Sequence, residues 1–145
     1  NKHNGLTFCA GSFSAGEHND CVAMAKPFAD RTHFVHLRSC YIFPNGNFTE
    51  ASHLGGRGHL IELCRIFEKA EQEGKCNSGR RLPMRVDHGM TFTDEPGGVF
   101  DESNHGHNAG YTLLGRMFAM GQIQGVIATV DDELGIEYKQ PGFYD

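Results

Sequence analysis

The chain has 145 residues, a formal net charge of -5 and a sequence pI near 6.0. This length is enough for one modest domain, and the acidic balance argues against nucleic acid or an anionic membrane as the main partner. No apolar run approaches the roughly 20 residues that span a bilayer. The opening NKHNGLTFCAG lacks the basic and apolar segments of a signal peptide. Five cysteines without a CxxC pair do not indicate a disulfide framework, so we expect a cytoplasmic protein.

Residues 1–31 predict a first strand, loop and helix. GLTFCAGS, from Gly5 to Ser12, is a short β-favouring run that ends in small residues. Asn19 or Asp20 can cap the helix that follows. Pro27 lies inside that helix, and we expect it to kink or shorten the helix.

Residues 32–79 predict a second unit of the same kind. THFVHLR, from Thr32 to Arg38, is an apolar strand, and Asn45-Gly46 forms the tip of a turn. Apolar residues then recur with the period of a helix from about His59 to Glu73.

Residues 80–130 predict a third unit, with LPMRVDHG as its strand. A glycine-rich loop runs from Met90 to Ala109, and we interpret it as a lid because long loops beside a site often close over it. A helix is expected from Tyr111 to about Gln122, while the following GVIATVDDELGI fits either a helix or a strand. Residues 131–145 predict an irregular tail.

Three successive β-loop-α units predict an α/β fold with parallel strands and crossover helices. Each predicted strand ends in a potential metal ligand: Cys9, His36 and Asp87. Ligands gather at the carboxyl ends of parallel strands, and side chains alternate along a strand, so these three can converge. Their mixed sulfur, nitrogen and oxygen donors suit Mn, Fe, Co or Zn rather than Mg or Ca. Taken singly, each also fits a core or loop-capping role.

Further polar residues lie near these strand ends. Arg38 and Arg85 can bind a carboxylate in a bidentate way, or form ordinary ion pairs. His53, in the loop segment EASH, can line a pocket or cap the loop. His88 has the opposite strand parity to Asp87, and a turn next to Gly89 would deliver it to the same cleft.

Tyr111 stands at the beginning of the last predicted helix. It can act as a proton donor, or simply be the first core residue of that helix. His105 and His107 lie in the glycine-rich loop and are expected to be solvated.

Five segments carry a resemblance to the mannonate dehydratase family: GLTFCAGS, RTHFVHLRS, FTEASHLGG, LPMRVDHG and GYTLLGRMFAMGQIQGV, in this order and over nearly the whole chain. The resemblance implies a TIM (β/α)8 barrel, of which residues 1–145 form a partial, C-terminal portion. It also implies dehydration of D-mannonate to 2-keto-3-deoxy-D-gluconate in glucuronate catabolism, with Mn²⁺, Fe²⁺ or another divalent transition metal as cofactor.

The resemblance implies a role for each site residue. The residues that match the family's metal ligands are Cys9, His36 and Asp87. His88 and Tyr111 match residues of proton transfer, and Arg38 matches a partner for the substrate carboxylate. The family's remaining ligand, a histidine on an earlier strand, has no counterpart before Cys9. Three βα units also leave sheet edges unpaired, so we expect a homo-oligomer or association with an N-terminal barrel segment.

Two other interpretations remain open from the sequence. The chain can be an inactive or weakly metal-binding barrel fragment. It can also be a metal-dependent sugar isomerase or epimerase on the same fold, which would share the metal and the base but keep the substrate hydroxyl.

Overall fold

The computed structural model describes residues 1–92 and 109–137, and the structural statements below concern that part of the chain. Its strands and helices are, in chain order, β1 (Leu6–Cys9), α1 (Ala10–Ser14), α2 (Cys21–Phe28), β2 (Thr32–His36), β3 (Cys40–Ile42), β4 (Phe48–Glu50), α3 (Leu60–Gln72), β5 (Met84–Arg85) and α4 (Leu113–Leu134). Short 3-10 turns occupy Ala29–Arg31, Asn77–Gly79 and Ala109–Tyr111.

The central sheet consists of three parallel strands in the order β1-β2-β5. Cys9 lies opposite His36, and His36 lies opposite Arg85. The carboxyl ends of the three strands therefore meet at one edge of the sheet. The predicted α/β organisation with parallel strands is confirmed.

The predicted helices α2 and α3 are confirmed with small changes of boundary. α2 is capped by Asp20, whose Oδ1 accepts a hydrogen bond from the Ala23 amide at 2.9 Å. Pro27 lies in the last turn of α2, which ends one residue later. α3 buries the face formed by Leu60, Leu63, Cys64, Phe67 and Ala70.

A β-hairpin made of β3 and β4 was not predicted. The expected turn at Asn45-Gly46 joins its strands, and Gly46 has a φ of 84°, which favours glycine. Each strand has only three residues, which is too short for a clear alternation of apolar and polar residues in the sequence. In addition, the apolar residues Tyr41 and Phe48 are about half exposed. The pairing places Glu50 opposite Cys40.

Residues 113–134 form one helix, α4, so the ambiguous segment GVIATVDDELGI is largely helical. α4 continues past residue 130, where the third unit was expected to end, and stops at Gly135, whose φ of 67° suits a helix C-terminus. The rest of the expected tail, from residue 138, lies outside the described residues.

The core lies between the sheet and α3. The Phe67 ring of α3 packs edge-on against Phe8 of β1, with 5.3 Å between ring centroids. Val35 of β2 and Leu63 of α3 are fully buried beside them. α4 packs against α3, and its residues Ala119, Ile123 and Val130 belong to the same core.

In the described part of the chain, one helix, α4, has the length and the apolar composition that crossing a membrane requires. One such helix is weak evidence, because helices of soluble proteins pass the same test. Ala119 and Ile123 of α4 are buried in the protein core.

Candidate metal centre and proton-transfer groups

Cys9, His36 and Asp87 come together at the carboxyl edge of the sheet, as the sequence predicts. Cys9 is the last residue of β1 and His36 the last of β2, so the strand register places them side by side. His36 Nδ1 is 3.6 Å from Asp87 Oδ2, and Cys9 Sγ is 4.0 Å from the same oxygen. The three donor atoms all lie within 4.8 Å of one another.

Asp87 reaches this cluster through a backbone turn, because β5 ends two residues earlier at Arg85. Its φ is 58°, in the left-handed region that aspartate tolerates better than most residues. The turn expected next to Gly89 is present as a bend at His88, directly after Asp87. Gly89 itself allows close packing, since a Cβ there would lie 2.3 Å from the Gly115 carbonyl oxygen of α4.

The donor set fits a divalent transition metal. Bonds of about 2.0–2.3 Å put two ligands of one ion roughly 3–4.6 Å apart, and the distances of 3.6 Å and 4.0 Å from Asp87 Oδ2 to His36 and Cys9 fall in this range. The Cys9 sulfur accepts a hydrogen bond from the Ser12 hydroxyl at 3.1 Å, which helps to hold it at this edge of the sheet. Burial lowers the pKa of His36, and the nearby Arg85 guanidinium adds to this effect while Asp87 opposes it, so the ring favours the neutral form that binds metals.

Glu50 is the centre of a second polar group beside the cluster, and we predicted no separate role for it. Its Oε1 lies 2.8 Å from His88 Nδ1. Its two oxygens accept hydrogen bonds from Arg38, with Nε to Oε2 at 2.8 Å and Nη2 to Oε1 at 2.5 Å. The side chains of these three residues are only 12–13% exposed.

Arg38 thus forms an ion pair with Glu50, which is one of the two roles that the sequence left open for it. Burial alone would lower its pKa, but the hydrogen bonds and charge of Glu50 raise it, so the guanidinium stays charged. Arg85 is more accessible, with 38% of its side chain exposed. Its Nη2 donates to Asp87 Oδ1 at 2.6 Å and to the Tyr111 hydroxyl at 3.2 Å.

Tyr111 and His88 lie next to each other at this edge. The Tyr111 hydroxyl donates to Asp87 Oδ1 at 3.1 Å, and its ring centroid is 4.4 Å from that of His88. Tyr111 is 43% exposed, so it is not a core residue of the helix region. Gly110 leaves room for the His88 ring, because a Cβ there would lie 2.3 Å from Nδ1.

His53 lies close to the cluster, and it also lines a cavity together with Leu54 and His59. Only 2% of it is exposed, and its Nε2 bonds to the Val86 carbonyl oxygen at 3.0 Å. Burial lowers its pKa, so the ring is neutral and donates that hydrogen bond. Its backbone amide donates to Gln122 Oε1 at 3.1 Å. His53 therefore connects Gln122 of α4 and the loop after β4 to Val86, the residue before Asp87. Its contacts stabilise the backbone next to the cluster.

The glycine-rich loop interpreted as a lid falls mostly on residues 93–108, which lie outside the described residues. The same holds for His105 and His107.

Fold and site together define a parallel α/β protein with a candidate transition-metal centre at the carboxyl edge of its sheet. The family model for D-mannonate dehydratase (UxuA) matches residues 1–136. The chain belongs to the mannonate dehydratase family.

Two curated relatives support this assignment, and one solved structure shows the same fold. Mannonate dehydratase 2 of Agrobacterium fabrum is 38% identical over 134 residues, which cover 91% of this chain and 32% of the relative. Mannonate dehydratase of Saccharophagus degradans is 38% identical over 130 residues, 88% of this chain and 31% of the relative. The crystal structure of mannonate dehydratase from Streptococcus suis serotype 2 shares the fold with a TM-score of 0.71 and 20% identity, over 100% of this chain and 39% of that one.

The chain thus spans about a third of the length of the curated relatives it matches. The comparisons do not support the expectation that this third is the C-terminal one.

Proposed function

We propose that the chain carries a metal site and proton-transfer groups of a mannonate dehydratase, a hydro-lyase that converts D-mannonate into 2-keto-3-deoxy-D-gluconate and water. The observation that carries the proposal is the convergence of Cys9, His36 and Asp87 beside His88 and Tyr111, in a chain matched by the family model over residues 1–136. We further propose that its three βα units belong to a TIM barrel, which the parallel β1-β2-β5 order and the shared fold support.

Cys9, His36 and Asp87 would hold one divalent ion, for which Mn²⁺ or Fe²⁺ is suited by the mixed donors. When bound, the metal supplies a positive charge that stabilises negative charge developing on the oxygens of the substrate. Arg85 fixes the Asp87 carboxylate through the 2.6 Å bond and so orients one ligand.

His88 and Tyr111 would carry the protons. One group takes the proton from C2 of D-mannonate, and the electron pair of that C–H bond forms the C2=C3 double bond. The C3–O bond breaks, and the departing hydroxyl takes a proton from the other group and leaves as water. The remaining enol rearranges to the 2-keto product, so the sum of the reaction is loss of one water.

Arg85 is the better candidate for the substrate carboxylate. Its guanidinium is partly exposed next to Tyr111, and its buried Nε has no hydrogen-bond partner among the described residues. A buried donor without an acceptor is costly, and a substrate oxygen would satisfy it.

The test is incubation of the purified, Mn²⁺-loaded chain with D-mannonate, followed by mass analysis. We expect a 2-keto product one water lighter than the substrate. The matched control is Glu73→Gln, which removes an exposed ion pair with Lys75 on the C-terminal side of α3 and should leave the reaction unchanged. A product of unchanged mass would indicate an isomerase or epimerase instead. Unaltered D-mannonate would contradict both enzyme assignments.

A further inference from the structure

We infer that Glu50 is a positioning residue that holds His88 in the tautomer with hydrogen on Nδ1 and leaves the Nε2 lone pair free to take a proton. The role it gives to His88 rests on the proposed function, whereas the tautomer itself can be measured without turnover.

The argument begins with the charge of Glu50. Arg38 presents two hydrogen-bond donors to its two carboxylate oxygens, at 2.8 and 2.5 Å, in a fork geometry typical of a charged pair. A guanidinium has donors only and stays protonated in proteins. Arg38 and Glu50 therefore form a two-point ion pair, in a place where each side chain is only 13% exposed.

The ionised carboxylate then decides which nitrogen of His88 carries hydrogen. An ionised carboxylate accepts hydrogen bonds and cannot donate them. His88 Nδ1 lies 2.8 Å from Glu50 Oε1, so Nδ1 must be the donor. A neutral imidazole has a single N–H, and Nε2 is consequently left with an unshared electron pair.

The packing around His88 supports this orientation. The Tyr111 ring lies against one face, and Gly110 approaches so closely that any side chain would meet the ring. The Gly89 amide donates to the Gly110 carbonyl oxygen at 2.8 Å, which fixes the two backbone segments that flank the ring.

The hairpin explains how a carboxylate reaches this point. β4 ends at Glu50, and its pairing with Cys40 sets the hairpin only a few residues beyond the end of β2. The hairpin thus places the carboxylate of Glu50, which is paired with Arg38, next to Nδ1 of His88. Nε2 of the same ring does not contact this carboxylate and keeps its lone pair. His88 becomes the group that removes the C2 proton, and Tyr111 becomes the donor to the leaving hydroxyl.

The direct test is ¹⁵N NMR of the full chain with ring-labelled histidine, with the His88 signals assigned by their loss in His88→Gln. Under conditions where the ring is neutral, we expect the Nδ1–H tautomer in the unaltered chain. Glu50→Gln should keep it, because the amide oxygen can still accept from Nδ1. Glu50→Ala should release it toward the Nε2–H form that free imidazole prefers.

Glu73→Gln is the control for loss of a paired glutamate elsewhere in the chain, and thermal unfolding shows whether each variant is folded. An Nε2–H tautomer in the unaltered chain would overturn the inference. So would an unchanged tautomer in folded Glu50→Ala. If Glu50→Ala does not fold, the unaltered chain and Glu50→Gln still test the inference. Absence of the Nδ1–H tautomer of His88 in either of these two proteins would contradict it.

Kinetics separates this role from a structural one where the chain turns over D-mannonate. Glu50→Ala should lower kcat on the order of 100-fold, the lower end of what a positioned proton-transfer group contributes, with KM little changed. Dehydration without the expected tautomer would refute the inference alone. The expected tautomer without any dehydration would refute the proposed function alone.

Discussion

Asp87 and His88 are consecutive in the chain, yet their side chains serve two different groups. Asp87 Oδ2 is 3.6 Å from His36 Nδ1, while His88 Nδ1 is 2.8 Å from Glu50 Oε1. The left-handed backbone at Asp87 separates them, since an extended strand would only point them to opposite faces of the sheet. The candidate metal ligand and the proposed proton carrier are thus placed side by side by one turn.

Two substitutions of Asp87 distinguish the effect of its carboxylate on metal binding from the effect of its left-handed backbone on stability. Asp87→Asn should lose most metal binding but keep the fold, because asparagine also tolerates the left-handed region. Asp87→Ala should lose metal binding and in addition about 1–2 kcal/mol of unfolding free energy. Metal analysis and urea denaturation of both variants measure the two effects. Equal stability of the variants would contradict the importance of the turn.

Two of the proposed ligands, Cys9 and His36, can be tested with Co²⁺ as a coloured probe. A cobalt–thiolate bond gives a charge-transfer absorption, so Cys9→Ser should bind without that band or not bind at all. His36→Ala should weaken binding, whereas His18→Ala, which alters an exposed histidine, should not. Equal Co²⁺ spectra in all three variants and the unaltered chain would remove the proposed site.

Gly110 should be intolerant of even the smallest side chain. The Cβ of Gly110→Ala would lie 2.3 Å from His88 Nδ1, so the ring must leave Glu50. We expect the His88 signals to shift and any dehydration to fall. Gly121→Ala is the matched control, because its added Cβ meets nothing within 4 Å and alanine favours a helix by roughly 0.5–1 kcal/mol. Normal His88 signals in Gly110→Ala would contradict the packing argument.

The metal cluster could be predicted from sequence, because the alternation of strand side chains and the shared edge of a parallel sheet are local rules. Cys9 and His36 follow those rules directly. Glu50 could not be assigned, since its role depends on a short hairpin whose exposed residues show no clear periodicity. The position of His53 likewise depends on contacts with Gln122 and Val86, 69 and 33 residues away in sequence.

His53 should matter for stability more than for substrate binding. His53→Ala removes the hydrogen bond to the Val86 carbonyl oxygen. It also leaves a cavity, because only 2% of His53 is exposed. Together these changes should lower the free energy of unfolding by about 2–4 kcal/mol. Urea denaturation measures the loss, and a change below roughly 0.5 kcal/mol, typical of a surface site, would contradict the supporting role.

Glu68 should make stability depend on pH near neutrality. Burial on α3 raises its pKa from 4.5 to about 7, and the carboxylates of Asp131 and Glu71 add to this while Arg81 opposes it. The folded state therefore holds a proton that the unfolded state releases above about pH 4.5. Its contribution to stability is complete below that pH and is lost as the pH rises through about 7.

The test compares urea denaturation of the unaltered chain and Glu68→Gln at several pH values. Glutamine cannot ionise, so the difference in unfolding free energy between the two proteins should shift in favour of Glu68→Gln between about pH 4.5 and 7. Other titrating groups contribute to both proteins and largely cancel in the difference, provided that Asp131 and Glu71 keep their positions. A difference that stays constant over this range would show that Glu68 titrates like an exposed glutamate.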